Sequence, residues 1–279
     1  MDTQVTIGQG QEAALAARYG AGAVPPAGPW NETIALLLSH RSVRGYLTEP
    51  LPQGTLETLV AAAQSAATSS NLQTWSLVSV ADPATRAALA RIANNQKHIE
   101  ECPLFLVWLA DLSRNARLGQ AEGVVLEGLP YLETFMVAVI DAALAAQNAV
   151  VAAESLGLST VYIGALRNRP EEVAALLGLP QGTMAVFGLC VGHAKPAAAG
   201  EVKPRLSQPM VLHHERYGTA EEPALRADYD AQLAEFSARH EMAQTTWTKR
   251  VVARIGRIAA LNGRDRMREA LAALGFPLR

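Results

Sequence analysis

The segment spanning residues 131–156 constrains the fold more than any other. Leu132, Phe135, Met136, Val139, Ala143, Ala146 and Val150 recur at intervals of three and four, the spacing of a helical face, and Gly157 supplies a stop. Apolar residues run nearly all round it, and its many alanines allow another helix to approach closely. Such a helix serves at the centre of a domain or at a subunit interface. Both roles are expected here.

Shorter elements flank it. Ile34, Leu37 and Leu38 mark an amphipathic run over 31–39, and Leu56, Leu59, Val60 and Ala63 give one face to a helix over 53–67. Strands are expected at 76–80, 104–110, 159–163 and 184–191, and helices at 84–93 and 170–177. Pro170 opens the last of these helices, with Glu171 and Glu172 in its first turn, and Gly178 closes it. Beyond residue 217 the pattern is helical, with stripes at Leu225, Tyr229, Leu233 and Phe236, at Val251, Val252, Ile255 and Ala259, and at Met267, Leu271 and Leu274. No interval holds the strand, glycine-rich turn and helix of a dinucleotide-binding unit, and there is no P-loop motif.

With 49% apolar and 18% charged residues in 279, the chain has ample material for a core. A net charge of −2 excludes a global field for nucleic acid or anionic membrane, so any basic site is local. The 247–279 tail carries eight Lys or Arg against two acidic residues, read as a solvated helical face. Cys102 and Cys190 sit in or beside apolar runs, which implies free thiols and a reducing, cytoplasmic setting. The N-terminus lacks the features of a secretory signal, and no apolar stretch is read as long and uninterrupted enough to span a bilayer. Residues 1–30, with an Ala-rich helical patch at 11–19 followed by Gly and Pro, are expected to form a flexible arm that reaches a neighbour.

The remaining chemistry lies in short polar clusters. His40, Arg41, Ser42 and Arg44 follow the first amphipathic run: paired guanidiniums suit a phosphate dianion, and equally suit the last carbonyls of a helix. Thr68, Ser69, Ser70, Asn71, Leu72 and Gln73 form a polar turn that caps an element or offers donors to a ligand. Asn94, Asn95, Gln96, Lys97 and His98 make another such loop. Tyr162, Ile163, Gly164, Ala165, Leu166 and Arg167 end a strand where a glycine lets a ligand approach the backbone. Lys203, Pro204 and Arg205 repeat the paired cations.

In order and wording these clusters resemble the nitroreductase and flavin reductase superfamily, specifically the class A oxygen-insensitive NADPH nitroreductases and related NADPH flavin reductases. The likeness covers roughly 31–247 and includes Ala146-Gln147-Asn148-Ala149, Ala153-Glu154-Ser155-Leu156-Gly157-Leu158 and Phe187-Gly188-Leu189-Cys190. It implies an α+β fold, a mostly antiparallel sheet wrapped by helices, in an intertwined homodimer with two FMN sites. The implied division is an arm at 1–30, an FMN-binding core at 31–216 and a helical extension at 217–279 that embraces the partner.

Carried over residue by residue, the resemblance assigns FMN to His40, Arg41, Ser42, Arg44, Gln96, Lys203 and Arg205, with Thr68, Ser69 and Ser70 meeting the same or the partner's flavin. Tyr162, Ile163, Gly164 and Ala165 would line the ring, with the Gly164 N–H facing flavin N5. Arg44 and its cationic neighbours would stabilise negative charge at N1. Arg167, Arg239 and Asn71 would meet nucleotide or substrate. With no separate nicotinamide domain, donor and acceptor must take turns on one flavin face, which implies ping-pong hydride transfer from NADPH, and from NADH as a second donor, to planar nitroaromatics, quinones or flavins.

Three departures from the family pattern stand out. Ala165 replaces a second glycine, Asn71 replaces a bulky aromatic, and the Ala243-Gln244-Thr245 stretch replaces a second basic position beyond Arg239, with Lys249 or Arg250 available to compensate. Loss of one charged phosphate contact costs about 1.5–3 kcal/mol, which softens the preference for NADPH. Two alternatives stay open: a flavin reductase that supplies reduced flavin to a monooxygenase, and a flavin-binding protein without turnover.

Overall fold

The computed structural model describes residues 2–243 and 245–279. Gln244, in the stretch read as a replaced basic position, lies outside them. In chain order the helices are α1 (Asp2–Tyr19), α2 (Glu32–Ser39), α3 (Thr55–Gln64), α4 (Pro83–Ile92), α5 (His98–Glu101), α6 (Ser113–Ala121), α7 (Leu132–Ser155), α8 (Pro170–Leu177), α9 (Glu222–Arg239), α10 (Trp247–Ile255) and α11 (Met267–Ala273). The strands are β1 (Trp75–Ser79), β2 (Leu104–Asp111), β3 (Ser159–Ile163) and β4 (Thr183–Gly192). The chain divides into two compact units, one built from 1–41 with 200–261 and the other from 42–199 with 262–279.

The larger unit is a four-stranded sheet in the order β1-β2-β4-β3, with every neighbouring pair antiparallel. Strands β2 and β4 are buried almost throughout, as near-continuous apolar runs in central positions should be. On one face Leu59 and Ala63 of α3 and Ala145, Ala149 and Ala153 of α7 pack with Leu106, Trp108 and Leu189. On the other, Leu89, Ile99, Leu166 and Val173 pack with Phe105, Val107 and Ile163. A side chain at Gly188 would place its Cβ 2.6 Å from the Phe105 ring, so glycine is required where β4 passes Ile163.

Local signals act as their chemistry dictates. The Asn31 side chain accepts from the Ile34 N–H at the start of α2, and Asp82 accepts from the Thr85 N–H ahead of Pro83 in α4. Gly178 ends α8 in the left-handed conformation at φ 62°. The helix expected over 53–67 is shorter at both ends, because Pro52 and Gly54 delay its start and the polar turn claims its end.

Two expectations are corrected. By length and composition alone α7 is long and apolar enough to cross a membrane. Its packing against the sheet and its buried Asp141, 2% exposed, mark it as the core helix of this unit. The N-terminal helix is also longer than the Ala-rich patch at 11–19, and its second half is packed rather than loose: Gln11, Leu15 and Arg18 are buried, and Gln11 Nε2 donates to the Gly28 carbonyl at 3.0 Å.

In the smaller unit, Tyr229, Leu233 and Phe236 of α9 form the buried core, with Leu206, Met242 and Trp247 packed on it. The stripe read at 251–259 breaks where α10 stops before Gly256, and Val252, Ile255 and Ile258 are exposed in the single chain.

Candidate flavin site

In the smaller unit one buried side chain organises the cations. Arg18, 5% exposed, donates from Nη2 to the carbonyls of Leu38 at 2.6 Å and His40 at 2.8 Å, and from Nη1 to the carbonyl of Lys203 at 2.9 Å. The Arg205 N–H returns a bond to the Arg18 carbonyl at 2.8 Å. The C-terminal carbonyls of α2 therefore do attract a guanidinium, but it is that of Arg18, and the Arg41 side chain stays exposed. This clamp brings His40 and Arg41 beside Lys203 and Arg205. Arg18 was not singled out from the sequence, because nothing in its spacing links it to residues 185 positions away.

Arg239 lies in the same unit. Its guanidinium and the Lys203 ammonium each sit 5.9 Å from the centre of the Phe236 ring, in cation–π range. Arg239 also pairs with Glu201 at 3.1 Å, and this hydrogen bond is the main reason the Glu201 carboxyl is held below its usual range. Arg250 donates to Ser237 Oγ at 3.0 Å and is half-buried, which commits it locally, whereas Lys249 is exposed.

In the larger unit, Ser42 bridges to Thr160 of β3 and the Val43 N–H donates to the Thr160 carbonyl at 3.0 Å. The buried Tyr46 hydroxyl donates to the Val43 carbonyl at 2.7 Å, which fixes the backbone from which Ser42 and Arg44 project. Burial, and then the charge of Arg44, hold His98, at the end of the 94–98 loop, below its ordinary value. Asn168 of the 164–168 turn donates from Nδ2 to the Ile92 carbonyl at the end of α4 at 3.0 Å and to the Asn94 side-chain oxygen, at the start of this loop, at 3.4 Å.

The 162–165 segment ends β3. The Tyr162 ring packs edge-on to Phe187, 4.9 Å between centres, on the face covered by α7, so only its backbone is available to the turn. Burial raises its hydroxyl pKa. Arg167 folds back, donating to the Val186 carbonyl, and its Nη2 lies 3.2 Å from where a Cβ on Gly164 would stand.

The 68–74 turn is elsewhere. It leads into β1 at one margin of the sheet, while Gly164 leaves β3 at the opposite margin, with three interstrand steps of roughly 5 Å between. Its Thr68 hydroxyl is engaged within the chain, donating to Asp141 at 2.6 Å and accepting from the Gln73 N–H at 3.0 Å, whereas Ser69, Ser70 and Asn71 are exposed. Asp141 was also missed, although a carboxylate in the apolar middle of that helix was a visible signal.

The nitroreductase family model matches residues 37–193, and the model of the family's C-terminal domain matches 203–279. This chain belongs to the nitroreductase family. An FMN reductase (NADPH) of Bacillus subtilis is 43% identical over 188 residues, covering 67% of this chain and 75% of the relative. An oxygen-insensitive NADPH nitroreductase of Salmonella typhimurium is 41% identical over 210 residues, covering 73% and 82%. Among solved nitroreductase-fold structures, an NADPH:FMN oxidoreductase from Vibrio harveyi complexed with NAD+ superimposes with a TM-score of 0.80 at 32% identity, covering 89% of this chain and all of that one.

Proposed function

We propose that this nitroreductase is an FMN-dependent NAD(P)H oxidoreductase that passes hydride by a ping-pong course to planar, electron-poor acceptors: nitroaromatics, quinones or flavins. The observation that carries this reading is the Arg18 clamp, which gathers two cationic segments far apart in sequence.

The residues fit a phosphorylated flavin. Within the smaller unit, His40, Arg41, Lys203 and Arg205 supply a positive set suited to phosphate; within the larger, taken by itself, Ser42 and Arg44 project from a backbone fixed by Tyr46, and Gly164 presents a strand end without a side chain. Bound FMN supplies the hydride acceptor and donor that no side chain here offers. The Gly164 N–H would face flavin N5, with Ile163 and Ala165 beside it and Gln96 at a polar edge. Arg239 would read the nucleotide phosphate, while Arg167 and Asn71 would border the acceptor.

A homodimer completes the site. Leu132, Met136, Ile140 and Leu144, spaced by four along α7, are 44–52% exposed in the single chain, an apolar stripe suited to a second copy. The sheet-edge separation of the 68–74 turn from Gly164 favours the partner's flavin as the ligand of Ser69 and Ser70. The 31–216 core would hold FMN, the 217–279 extension would embrace the partner, and the 1–30 arm would help to pack it. Two free, buried thiols accord with a reducing cytoplasm.

The exposed Asn71 also suits a larger acceptor such as free flavin, and hence a flavin reductase supplying a monooxygenase. NADPH oxidation with added FMN, compared with a quinone, separates the two uses. Anaerobic titration of the purified protein with NADPH and then NADH, followed at the flavin band, tests the main reading. Bleaching is expected, and a yellow protein that neither nucleotide bleaches would overturn it.

A further inference from the structure

We propose that Asp141 is a positioning residue: from the middle of α7 it holds the 68–74 turn in the shape that meets flavin and acceptor. The inference rests on the reading above that Ser69, Ser70 and Asn71 face those ligands.

Asp141 is 2% exposed in the apolar middle of α7, between Phe135 and Ala146, and a carboxylate is buried there only if hydrogen bonds replace its water. Four such bonds exist, and all come from the one turn. The Thr68 hydroxyl donates at 2.6 Å, the Ser69 N–H at 3.2 Å, the Thr74 N–H at 3.1 Å and the Thr74 hydroxyl at 3.0 Å. Together they grip both sides of the turn's base.

Thr68 Oγ1 also accepts from the Gln73 N–H, which closes the base, and Arg114 donates to the Gln73 carbonyl and to Ser76 Oγ, each at 2.9 Å. Between these anchors Ser70, Asn71 and Gln73 have φ of 49°, 57° and 50°, left-handed values that side chains other than glycine disfavour. Such a conformation persists only where its surroundings over-determine it. A helix residue that needed only to pack would resemble its buried neighbours Ala138, Ala142 and Ala145; this one spends its bonds on an exposed turn.

The same helix carries the apolar stripe proposed to meet a second copy, with Ile140 next in sequence to Asp141. The surface that seats the partner and the carboxylate that shapes the turn are thus one rigid body, and docking sets where Ser69 to Asn71 arrive.

The test compares wild-type holoenzyme with Asp141→Asn and Thr74→Val, the latter a near-isosteric change that removes one donor at a buried position away from the exposed tip. We expect the FMN Kd and the quinone KM to rise, by about tenfold for Asp141→Asn and less for Thr74→Val, with the rate of flavin reduction by NADPH at saturating FMN unchanged. Lower melting temperatures with unchanged FMN Kd and quinone KM would overturn the proposal by making Asp141 merely structural. If Asp141→Asn does not fold, Thr74→Val decides by the same readouts. Wild-type protein that binds no FMN would sink the functional reading and this inference together; wild-type binding with variants unchanged sinks only the inference.

Discussion

The guanidinium of Arg18 donates to the carbonyl of Lys203 across 185 residues of sequence, while the Arg205 N–H bonds back to the Arg18 carbonyl. The two segments are stitched in both directions. Replacing Arg18 with Met leaves three carbonyls without their donor and is expected to cost about 2–3 kcal/mol of stability and to weaken FMN binding about tenfold. Arg18→Lys should restore little, since an ammonium lacks the planar fork that reaches carbonyls on two segments. Denaturant melts and flavin fluorescence quenching measure both effects.

Arg239 is held by Glu201, an exposed competitor for any incoming phosphate. Glu201→Gln should lower the KM for NADPH by roughly two- to threefold without changing that for NADH, because an exposed ion pair is worth little. Arg239→Ala should raise the KM for NADPH alone. Equal effects on both nucleotides in steady-state kinetics would remove Arg239 from phosphate recognition.

His98 carries a pH signature. Burial first, and the Arg44 charge second, depress its folded pKa below the ordinary 6.5, against an opposing pull from Glu101. The unfolded chain therefore takes up the proton more readily, so this contribution to stability is present above the ordinary value and is lost as pH falls through the depressed folded pKa. Unfolding free energy should decline on acidification below neutrality by at most about 1.4 kcal/mol per pH unit from this group. His98→Gln should flatten that part of the profile in urea melts.

Ile140 sits in the exposed stripe of α7, 52% exposed in the single chain. Ile140→Glu should shift the protein from dimer to monomer in sedimentation velocity and release flavin with it. A variant that stays dimeric at micromolar concentration would place the interface elsewhere.

The sequence revealed periodic elements better than it revealed partners. Strand β3 and helix α8 fall where alternation, Pro170 and Gly178 place them, because their signals are local. The polar clusters were also visible as clusters. What could not be read was which side chains are free to serve a ligand and which serve the chain: Thr68 and Arg250 are committed internally, Tyr162 turns its ring toward α7, and Arg18 and Asp141 do their work through contacts 20 to 185 residues away. Those assignments depend on tertiary geometry, to which the spacing of residues in sequence is blind. The expectation that no stretch is long and apolar enough for a bilayer is corrected by α7, which passes on length and composition alone; only its packing on the sheet, invisible to hydropathy, shows it to be a core helix.

The opposite placement of β1 and β3 has a cellular consequence. Under the proposed function, the 68–74 turn and the Gly164 strand end, on the two far rims of one sheet, would give a solitary copy only half a grip, so dilution itself would act as an off switch. Output should then climb more steeply than the amount of protein synthesised, until pairing saturates.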